Sequence, residues 1–318
     1  MKKIHMVDLQ TQYKFIKTNV DAGIEQVLNS AQFINGPAVK SFQKNLESYL
    51  GVKNVIPCAN GTDALQIAMM GLGLKPGDEV ITADFTYAST VEVIALLGLT
   101  PVLVDVDPIT FNINPESIEK AITKKTKAIV PVHLFGQVAQ MEKIMQIAKK
   151  YGIFIIEDNA QALGANFTYS NGNKVKAGCI GDIGTTSFFP SKNLGCFGDG
   201  GAIFTNDDEL AHLIRGIANH GMYERYYHDV VGVNSRLDSI QAVVLDEKLK
   251  HLDLYNKRRR ESALKYSEYF ENNQKIITPI ILGDGDSHVF HQYTLKIIDS
   301  DRNALGAHLS KNLSLIHI

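Results

Sequence analysis

"TKAIVPVHLFGQVAQMEKIMQIAKKYGIFIIEDNAQ", residues 126–161, is the stretch that decides the fold class. It opens with a short apolar run, continues with apolar residues at helical spacing in "MEKIMQIAKKYG", and closes with a second apolar run, "IFIIED". This spacing predicts a strand, a helix and another strand. Two consecutive strands joined through a helix run parallel, because a parallel pair needs a crossover connection. The stretch therefore predicts an α/β fold.

The same alternation extends upstream to about residue 55. Strands are predicted at "DEVITAD" and "TPVLVDVD", and helices at "GTDALQIAMMGLG", "ASTVEVIALLG" and "NPESIEKAI". The strands are nearly continuous apolar runs, which is typical of strands buried on both faces. Downstream, "TTSFF" predicts a buried strand that Pro190 ends, and a tight glycine-rich turn leads to a further strand, "GGAIFTN". We expect a mostly parallel sheet covered by helices on both faces.

The order of apolar, charged and β-rich stretches along the sequence predicts four regions. Residues 1–35 form an N-terminal arm with a helix, residues 36–245 the large domain, and residues 246–312 a smaller, incomplete C-terminal domain. A long charged amphipathic helix over residues 236–270 would link the last two, followed by β-rich pieces within residues 276–298. The final "LSLIHI", residues 313–318, resembles a translated sequencing adapter, so we expect a non-native tail and a natural protein that continues further.

Composition excludes several classes of protein. The 318 residues carry a net charge of −2, with 45% hydrophobic and 21% charged residues, which is typical of a globular chain without a basic field for nucleic acid or membranes. "KRRR" at 257–260 is most simply the solvated face of a helix. No apolar run is long enough to span a bilayer, and no signal peptide is recognisable. Three widely spaced cysteines favour neither disulfides nor a metal site, so a cytoplasmic location is expected.

Lys192 is the first candidate for chemistry. It follows "TTSFFPS" and precedes a run of glycines, so the pattern places it at the end of a core strand. A solvated loop lysine is the simpler interpretation. However, a partly desolvated lysine has a lowered pKa and can serve as a nucleophile or form a Schiff base.

Four further segments support a catalytic interpretation. "NGTDAL" at 60–65 places Gly61 at a helix N-terminus, where free N–H groups bind phosphate; "DFTYAST" at 84–90 and "EDNAQA" at 157–162 follow strands; and "GVNSRLDSIQA" at 232–242 leads into a helix. Each alone could be structural: a common helix start, a packing tyrosine, a helix-capping acid and a surface arginine. Together, a phosphate cradle, an aromatic plate, an acid and a lysine are the parts that pyridoxal 5'-phosphate requires.

These motifs, with "PVHLFGQ" and "SFFPSKNLGCFGDGGAIFTND", resemble the DegT/DnrJ/EryC1/StrS family of sugar-nucleotide aminotransferases over nearly the whole chain. Their texture is most similar to the branch that aminates C3 of a UDP-linked 2-acetamido-3-oxo-glucuronate. The resemblance implies a type I pyridoxal phosphate fold, like that of aspartate aminotransferase. It also implies a homodimer with shared active sites, acting in polysaccharide or lipopolysaccharide synthesis.

The resemblance also implies roles for individual residues. Lys192 would be the Schiff-base lysine and Asp158 the partner of the pyridine nitrogen, and these two are the predicted catalytic residues. Gln161 would lie near the phenolic oxygen of the ring, and Tyr87 would stack on the ring. Phosphate contacts are expected from Gly61, the amides of Thr62 and Asp63, Ser187 and, across the dimer, Asn234.

Two substrate residues are less specific. Arg236 is a candidate for the sugar carboxylate, because a guanidinium binds a carboxylate with two hydrogen bonds. His133 is expected to pack in the core or line the substrate pocket. It is not expected to bind a metal, since no other ligands stand at metal spacing.

The predicted reaction moves an amino group from L-glutamate to a keto sugar nucleotide, with Lys192 as general base and general acid. Some members of the superfamily carry histidine in place of Lys192 and remove a hydroxyl instead, so the lysine favours transamination. A 3- or 4-keto-6-deoxy sugar linked to dTDP or GDP, and a non-catalytic regulator that binds pyridoxal phosphate, remain alternatives. A dinucleotide-dependent oxidoreductase is disfavoured, because "CANGTDALQ" lacks the G-x-G-x-x-G pattern.

Overall fold

The computed structural model describes residues 7–312. The tail predicted at residues 313–318 lies outside these described residues. The helices are α1 Leu9–Ser30, α2 Pro37–Leu50, α3 Gly61–Gly71, α4 Ser89–Leu96, α5 Pro115–Ala121, α6 Met141–Tyr151, α7 Asp208–Ile217, α8 Ser239–Leu249, α9 Leu252–Phe270 and α10 Arg302–Asn312, with a short 3-10 turn at Leu134–Gly136.

The strands form one large sheet and three small hairpin-like pairs. They are β1 Asn54–Cys58, β2 Glu79–Ala83, β3 Thr100–Val104, β4 Thr126–Val130, β5 Phe154–Asp158, β6 Asn166–Thr168, β7 Lys174–Lys176, β8 Ile183–Ser187, β9 Gly201–Thr205, β10 Met222–Glu224, β11 Tyr227–His228, β12 Ile276–Ile277 and β13 Lys296–Ile297. The large sheet has seven strands in the order β1-β9-β8-β5-β4-β2-β3. Only β9 runs against the others in that sheet.

Helices cover both faces of the large sheet. One apolar cluster joins α3, α4 and α7 to one face, and two clusters join α5 with α6, and α2 with α8, to the other. Successive residues of a strand point to opposite faces. Accordingly, Ile155 packs in the cluster with α6, whereas Ile156 packs in the cluster with α3. The predicted α/β architecture with a mostly parallel sheet is confirmed.

The linking helix differs from the sequence expectation. Instead of one helix over residues 236–270, the chain bends at Lys250–His251 between α8 and α9. Helix α8 is mostly buried, and α1 packs on it through Ile16 and Val20 against Val244. The charged residues of α8 suggested a surface helix, but tertiary packing buries Glu247 and Lys248.

The connection from β8 to β9 also differs from the expected tight turn. It is a folded loop over residues 188–200, hereafter the lysine loop, because it carries Lys192. Its base is closed by hydrogen bonds from Phe188 N to Gly200 O at 2.7 Å and from Cys196 N to Phe188 O at 2.8 Å. The loop therefore holds Lys192 in a defined position beyond the end of β8.

The C-terminal part beyond α9 contains less strand than expected, since β12 and β13 pair over only two residues each. Among the helices of residues 7–312, none combines the length and apolarity that a membrane crossing requires.

Candidate active site

The carboxyl ends of the parallel strands bring together the segments that the motifs singled out. Tyr87 follows β2, Asp158 ends β5 and Ser187 ends β8. Asp158 shares its sheet face with Ile156, which packs in the cluster with α3 and α4. Accordingly, Thr90 of α4 donates a hydrogen bond to Asp158 Oδ2 at 3.0 Å. The strand-end position and the parity of the strand thus direct Asp158 toward the N-terminus of α3.

Lys192 lies in the lysine loop close to this carboxylate. Burial lowers the pKa of Lys192, and the negative charge of Asp158 opposes that shift only in part. The lysine backbone N–H donates to Phe189 O at 2.9 Å, which fixes the backbone. No described residue accepts a hydrogen bond from its side-chain nitrogen. An amine with a lowered pKa and no bound partner is suited to react as a nucleophile.

The N-terminus of α3 forms a cradle with the end of β8. A Cβ atom placed on Gly61 would lie 2.7 Å from Ser187 Cβ, so only glycine lets the two segments approach this closely. Asp63 N–H is already bound by the capping side chain of Asn60 at 2.8 Å. The hydrogen bonds among the described residues leave the N–H groups of Gly61 and Thr62 without an acceptor. Those two groups, rather than that of Asp63, are available to an anion.

Gln161 and Tyr87 are the two residues expected to contact the ring of the cofactor. Gln161 Oε1 accepts a hydrogen bond from Phe135 N at 2.6 Å, which leaves the Nε2 donor of the amide for a ligand. Phe135 has φ +59°, a conformation that is uncommon for an aromatic residue and often found at functional sites. Tyr87 is 73% exposed in the single chain. An exposed ring of this kind is available for stacking.

The Asn234–Arg236 segment is anchored through the residue between them. Ser235 is buried, its hydroxyl donates to Asp63 Oδ2 at 2.6 Å, and it accepts from Ala59 N at 3.0 Å. Asn234 is exposed and Arg236 is half-buried. The structure gives Arg236 no salt bridge among residues 7–312. The segment therefore starts at the α3 cradle of its own chain and presents two polar side chains outward.

His133 does not line the pocket, and the expectation of a substrate contact is wrong. The residue has no exposed surface, its Nε2 lies 2.9 Å from Glu157 Oε2, and its Nδ1 accepts from Ala139 N at 3.2 Å. Both ring nitrogens are thus occupied by protein. The alternative of core packing is correct. Within the described residues, no group of three or more His, Cys, Asp or Glu side chains is placed to hold a metal ion.

Sequence reasoning missed three residues that the structure brings close to the lysine loop. Lys248 of α8 donates from Nζ to Gly195 O at 2.6 Å, and Gln241, one heptad earlier on the same helix, accepts from Phe197 N at 2.8 Å. From the C-terminal part, His291 lies near Lys192 and Gln161. The heptad spacing of the first pair was readable in the sequence. Nothing in the local pattern pointed to His291.

Comparison with known proteins now decides the family. The DegT/DnrJ/EryC1/StrS aminotransferase family model matches residues 15–315. The chain belongs to this family. It is an aminotransferase, as the motif resemblance predicted, and the type I fold expected from that resemblance is confirmed by its structural relatives.

Two sequence relatives illustrate the range of names in the family. The UDP-2-acetamido-2-deoxy-3-oxo-D-glucuronate aminotransferase of Pseudomonas aeruginosa is 50% identical over 295 residues, which cover 92% of this chain and 80% of that protein. The pleiotropic regulatory protein of Geobacillus stearothermophilus is 47% identical over 298 residues, covering 92% of this chain and 78% of the relative. Other relatives carry names with dTDP- or GDP-linked sugars.

Solved structures agree with the sequence relatives. A DegT DnrJ EryC1 StrS aminotransferase from Brucella abortus superposes with a TM-score of 0.91 at 42% identity, covering 97% of this chain and 82% of that one. NtdA from Bacillus subtilis, solved with bound cofactor PMP, gives a TM-score of 0.89 at 33% identity, covering 99% and 71%. The aminotransferase family is thus supported by both sequence and fold.

The residues present also fit pyridoxal phosphate. A half-buried lysine lies near a carboxylate, and the Gly61–Ser187 approach forms a cradle in which the described residues leave two N–H groups for a phosphate. Beside Tyr87, the buried Thr86 Oγ1 has no hydrogen-bond partner in the part of the chain that is described. Buried polar atoms are normally paired, so an unpaired one next to this space is consistent with a ligand that is polar.

Proposed function

We propose that this chain transfers the amino group of L-glutamate to C3 of a UDP-linked 2-acetamido-3-oxo-hexuronate, with pyridoxal 5'-phosphate as cofactor. The observation that carries the transamination is Lys192, a half-buried amine near Asp158 whose Nζ has no hydrogen-bond acceptor among residues 7–312. The sugar is proposed from the 50% identity to the Pseudomonas aeruginosa enzyme of that name. A role in cell-surface polysaccharide synthesis is part of the proposal.

Pyridoxal phosphate, when bound, supplies an electron-withdrawing ring that stabilises negative charge at the carbon carrying the transferred nitrogen. Lys192 would hold the cofactor at rest. Once displaced by the amino donor, its amine would move the proton at the reacting carbon, as a base and then as an acid. The lowered pKa of Lys192 favours this role, because more of the amine is unprotonated near neutral pH.

The surrounding residues would bind and orient. Asp158 would hold a proton at the pyridine nitrogen, and Gln161 Nε2 would donate to the phenolic oxygen. Tyr87 would stack on the ring and exclude water from one face. The phosphate would lie against the N–H groups of Gly61 and Thr62 and the hydroxyl of Ser187, with the Asp63 N–H reserved for the helix cap.

A homodimer with shared sites is part of the same proposal. Exposed apolar and aromatic side chains cluster just before Asn234: Tyr226 is 76% exposed, Tyr227 63% and Val231 85%. Exposed apolar patches of this kind commonly mark protein interfaces. A second copy covering them would receive Asn234 at its cofactor phosphate and Arg236 at its sugar carboxylate.

Mixing of subunits tests the sharing of sites. Lys192→Ala and Arg236→Ala variants should each be inactive as homodimers. If Arg236 serves the partner's site, a mixed dimer has one site that lacks both side chains and one intact site, so refolding the variants together should recover activity. No recovery in dimers verified by mass would place Arg236 in its own subunit's site or outside the site altogether.

The function itself is tested by the visible spectrum. We expect the purified protein to be yellow with pyridoxal phosphate, and borohydride reduction should leave the cofactor on the peptide containing Lys192. In a separate, unreduced sample, L-glutamate should remove the yellow band. A panel of UDP-, dTDP- and GDP-linked 3- and 4-keto sugars should restore it, with UDP-2-acetamido-2-deoxy-3-oxo-D-glucuronate fastest.

The regulatory alternative makes a different forecast in the same experiment. It is favoured by the 47% identity to a protein named as a pleiotropic regulator. A regulator that only binds cofactor would stay yellow with every amino donor. Recovery of the band by a dTDP- or GDP-linked sugar alone would keep the transamination and replace the proposed substrate.

A further inference from the structure

The segment Ser287–His291 comes from the C-terminal part of the chain, yet it packs against the lysine loop. Asn193, the residue after Lys192, donates from Nδ2 to Val289 O at 3.1 Å. On the other side, Val289 N donates to Gly136 O at 2.8 Å. Hydrogen bonds from two different elements therefore hold this segment next to Lys192.

Gly136 brings His291 close to Gln161. Gly136 has φ +103°, and a Cβ atom added there would lie 2.8 Å from His291 N and 3.1 Å from Gln161 O. His291 N and Gln161 O therefore both lie close to Gly136. A side chain at position 136 would separate His291 from the residue expected to contact the cofactor.

The backbone at His291 is fixed from a third direction. Arg259 of α9 donates from Nη1 to the carbonyl oxygens of Phe290 and His291, both at 3.3 Å. Phe290 has φ +46° and stacks on His288 at 3.7 Å between ring centroids with an interplanar angle of 9°. Such a constrained backbone limits the directions that the His291 side chain can take. The arginine comes from the "KRRR" stretch that sequence analysis treated as a solvated helix face.

The imidazole of His291 is incompletely paired. Its Nδ1 is buried and has no hydrogen-bond partner in residues 7–312. Leaving a buried polar atom unpaired costs about 1–3 kcal/mol, and the remainder of the segment shows that polar groups here are otherwise satisfied. His288, for example, uses its Nδ1 to accept from Phe290 N at 3.1 Å. A polar group of a ligand bound beside Lys192 and Gln161 would satisfy the His291 atom.

The imidazole is also uncharged at neutral pH. Burial first, and then the positive charges of Lys192 and Arg259, lower the pKa of His291 to about 3. A neutral ring is a poor match for the carboxylates of an amino acid donor, which bind cations more strongly. It is a good match for uncharged hydroxyl and carbonyl oxygens, which a sugar presents.

We propose that His291 is a further substrate-binding residue of this active site, whose Nδ1 hydrogen-bonds a hydroxyl or carbonyl oxygen of the sugar beside Lys192. The inference rests on the proposed function, since it requires a sugar to enter the site. It assigns the sugar-specific half of the reaction to a residue from the C-terminal part of the chain. The amino donor does not need this contact.

The test measures the two half-reactions separately on full-length protein loaded with pyridoxal phosphate. In His291→Ala, we expect the apparent affinity for UDP-2-acetamido-2-deoxy-3-oxo-D-glucuronate to fall about tenfold, the size of one lost hydrogen bond. The glutamate half-reaction should stay within about twofold on the same grounds. His291→Asn, whose amide reaches the position of Nδ1, should restore most of the sugar affinity. Calorimetric binding of the corresponding amino sugar nucleotide provides a readout that does not depend on turnover.

His288→Ala is the matched control, because it loosens the same segment while removing no unpaired nitrogen. It should lower the melting temperature and leave sugar affinity unchanged. Equal loss of sugar affinity in this control would overturn the proposal in favour of a structural role. So would unchanged affinity in His291→Ala, or equal loss in both half-reactions. If His291→Ala does not fold, His291→Asn is compared with His291→Gln, whose amide lies near the position of Nε2. The Asn variant should bind the sugar nucleotide and the Gln variant should not.

The two proposals fail in different ways. A wild-type protein that reacts with neither glutamate nor any sugar in the panel contradicts the proposed function before any variant is made. A wild-type protein that reacts with both, alongside His291 variants that behave identically, contradicts only the inference about His291. A different sugar found in the panel replaces the probe and leaves the design unchanged.

Discussion

The lysine loop and helix α8 each carry a desolvated lysine: Lys192 is half-buried and Lys248 is fully buried, and the two side chains are bound differently. Burial lowers the pKa of Lys192, and it lowers the pKa of Lys248 to about 8. Lys248 is only 1% exposed, but its Nζ donates to Gly195 O and lies 4.8 Å from the centroid of the Phe197 ring. In the described part of the chain, no residue accepts a hydrogen bond from Lys192 Nζ. A lowered pKa alone therefore does not identify a reactive lysine.

The two lysines are also mechanically connected. Lys248 binds the loop at Gly195, three residues after Lys192, and Gln241 binds the same loop at Phe197. Lys248 therefore helps to hold the loop that carries Lys192. A lysine charge without an anion beside it is normally unfavourable in a protein interior. Here the carbonyl oxygen and the aromatic face replace part of its hydration.

Replacing Lys192 should have the largest effect. We expect Lys192→Ala to lower kcat by at least about a thousandfold, because it removes both the covalent attachment and the proton transfer. Lys192→Arg keeps the positive charge but cannot deprotonate, so it should be equally inactive. Stopped-flow absorbance with glutamate measures the effect. Turnover within tenfold of wild type in either variant would contradict the catalytic role proposed for Lys192.

Removing the charge near Lys192 should have the next largest effect. We expect Asp158→Asn to lower kcat by about a hundredfold, as removal of one preorganised electrostatic contact does. Without the carboxylate that opposes its shift, the pKa of Lys192 should fall further. The pH dependence of the rate at which added pyridoxal phosphate reacts with the cofactor-free protein measures that fall. An unchanged titration would mean that the two side chains are not coupled.

The neighbouring carboxylate provides a matched control for this variant. Glu157 points to the opposite sheet face and accepts hydrogen bonds from the N–H groups of Gly178, Ile180 and Gly181, as well as contacting His133. Glu157→Gln should lower stability by about 1–3 kcal/mol, because buried donors lose part of their acceptor. Its kcat should remain close to that of wild type. A hundredfold loss of kcat here would argue that the effect at Asp158 is structural.

Lys248→Met should have the smallest effect on catalysis and a characteristic effect on stability. The pKa of Lys248 is 10.5 when unfolded and about 8 when folded, so the unfolded chain binds more protons between these values. The free energy of unfolding should therefore rise with pH in that window, by roughly 3 kcal/mol from this group. The methionine variant should lack this rise. Urea unfolding of both proteins from pH 7 to 10 measures the difference.

Other titrating groups are the same in both proteins and cancel in this comparison. Parallel stability curves would show that Lys248 is not held in a shifted state. A kcat loss above tenfold in the variant at pH 7 would show that the contact at Gly195 sets the position of Lys192 closely enough to limit the reaction.

Much of the fold could be predicted because its signals are local. The strands β2 to β5 and the helices between them were recognised from apolar runs and helical spacing, which reflect burial of each element on its own. The long linking helix was not predicted correctly. Its charged residues suggested a solvated surface. However, Glu247 is buried and accepts a hydrogen bond from Asn19 of α1, Lys248 is buried against the lysine loop, and the chain bends at His251.

The candidate site divides in the same way. Lys192, Asp158 and Gly61 stand at strand ends or helix starts, and their motifs are continuous in sequence, so they could be named before the fold was seen. His133 also stands at a strand end, and this position was misleading because its ring turns to Glu157 on the far face. His291 could not be predicted, because it lies about a hundred positions after Lys192 in the sequence and only the fold brings the two residues together.

The sequence by itself determined the alternation of strands and helices, the family motifs and the identity of the lysine and the acid, because side-chain periodicity and turn chemistry act between near neighbours. The tertiary structure decided which polar groups are satisfied. It paired Lys248 with Gly195 and His133 with Glu157, and within residues 7–312 it left Lys192 Nζ and His291 Nδ1 without a hydrogen-bond partner. Hydrogen bonding and desolvation depend on atoms from distant segments, so they arise only when the chain is packed.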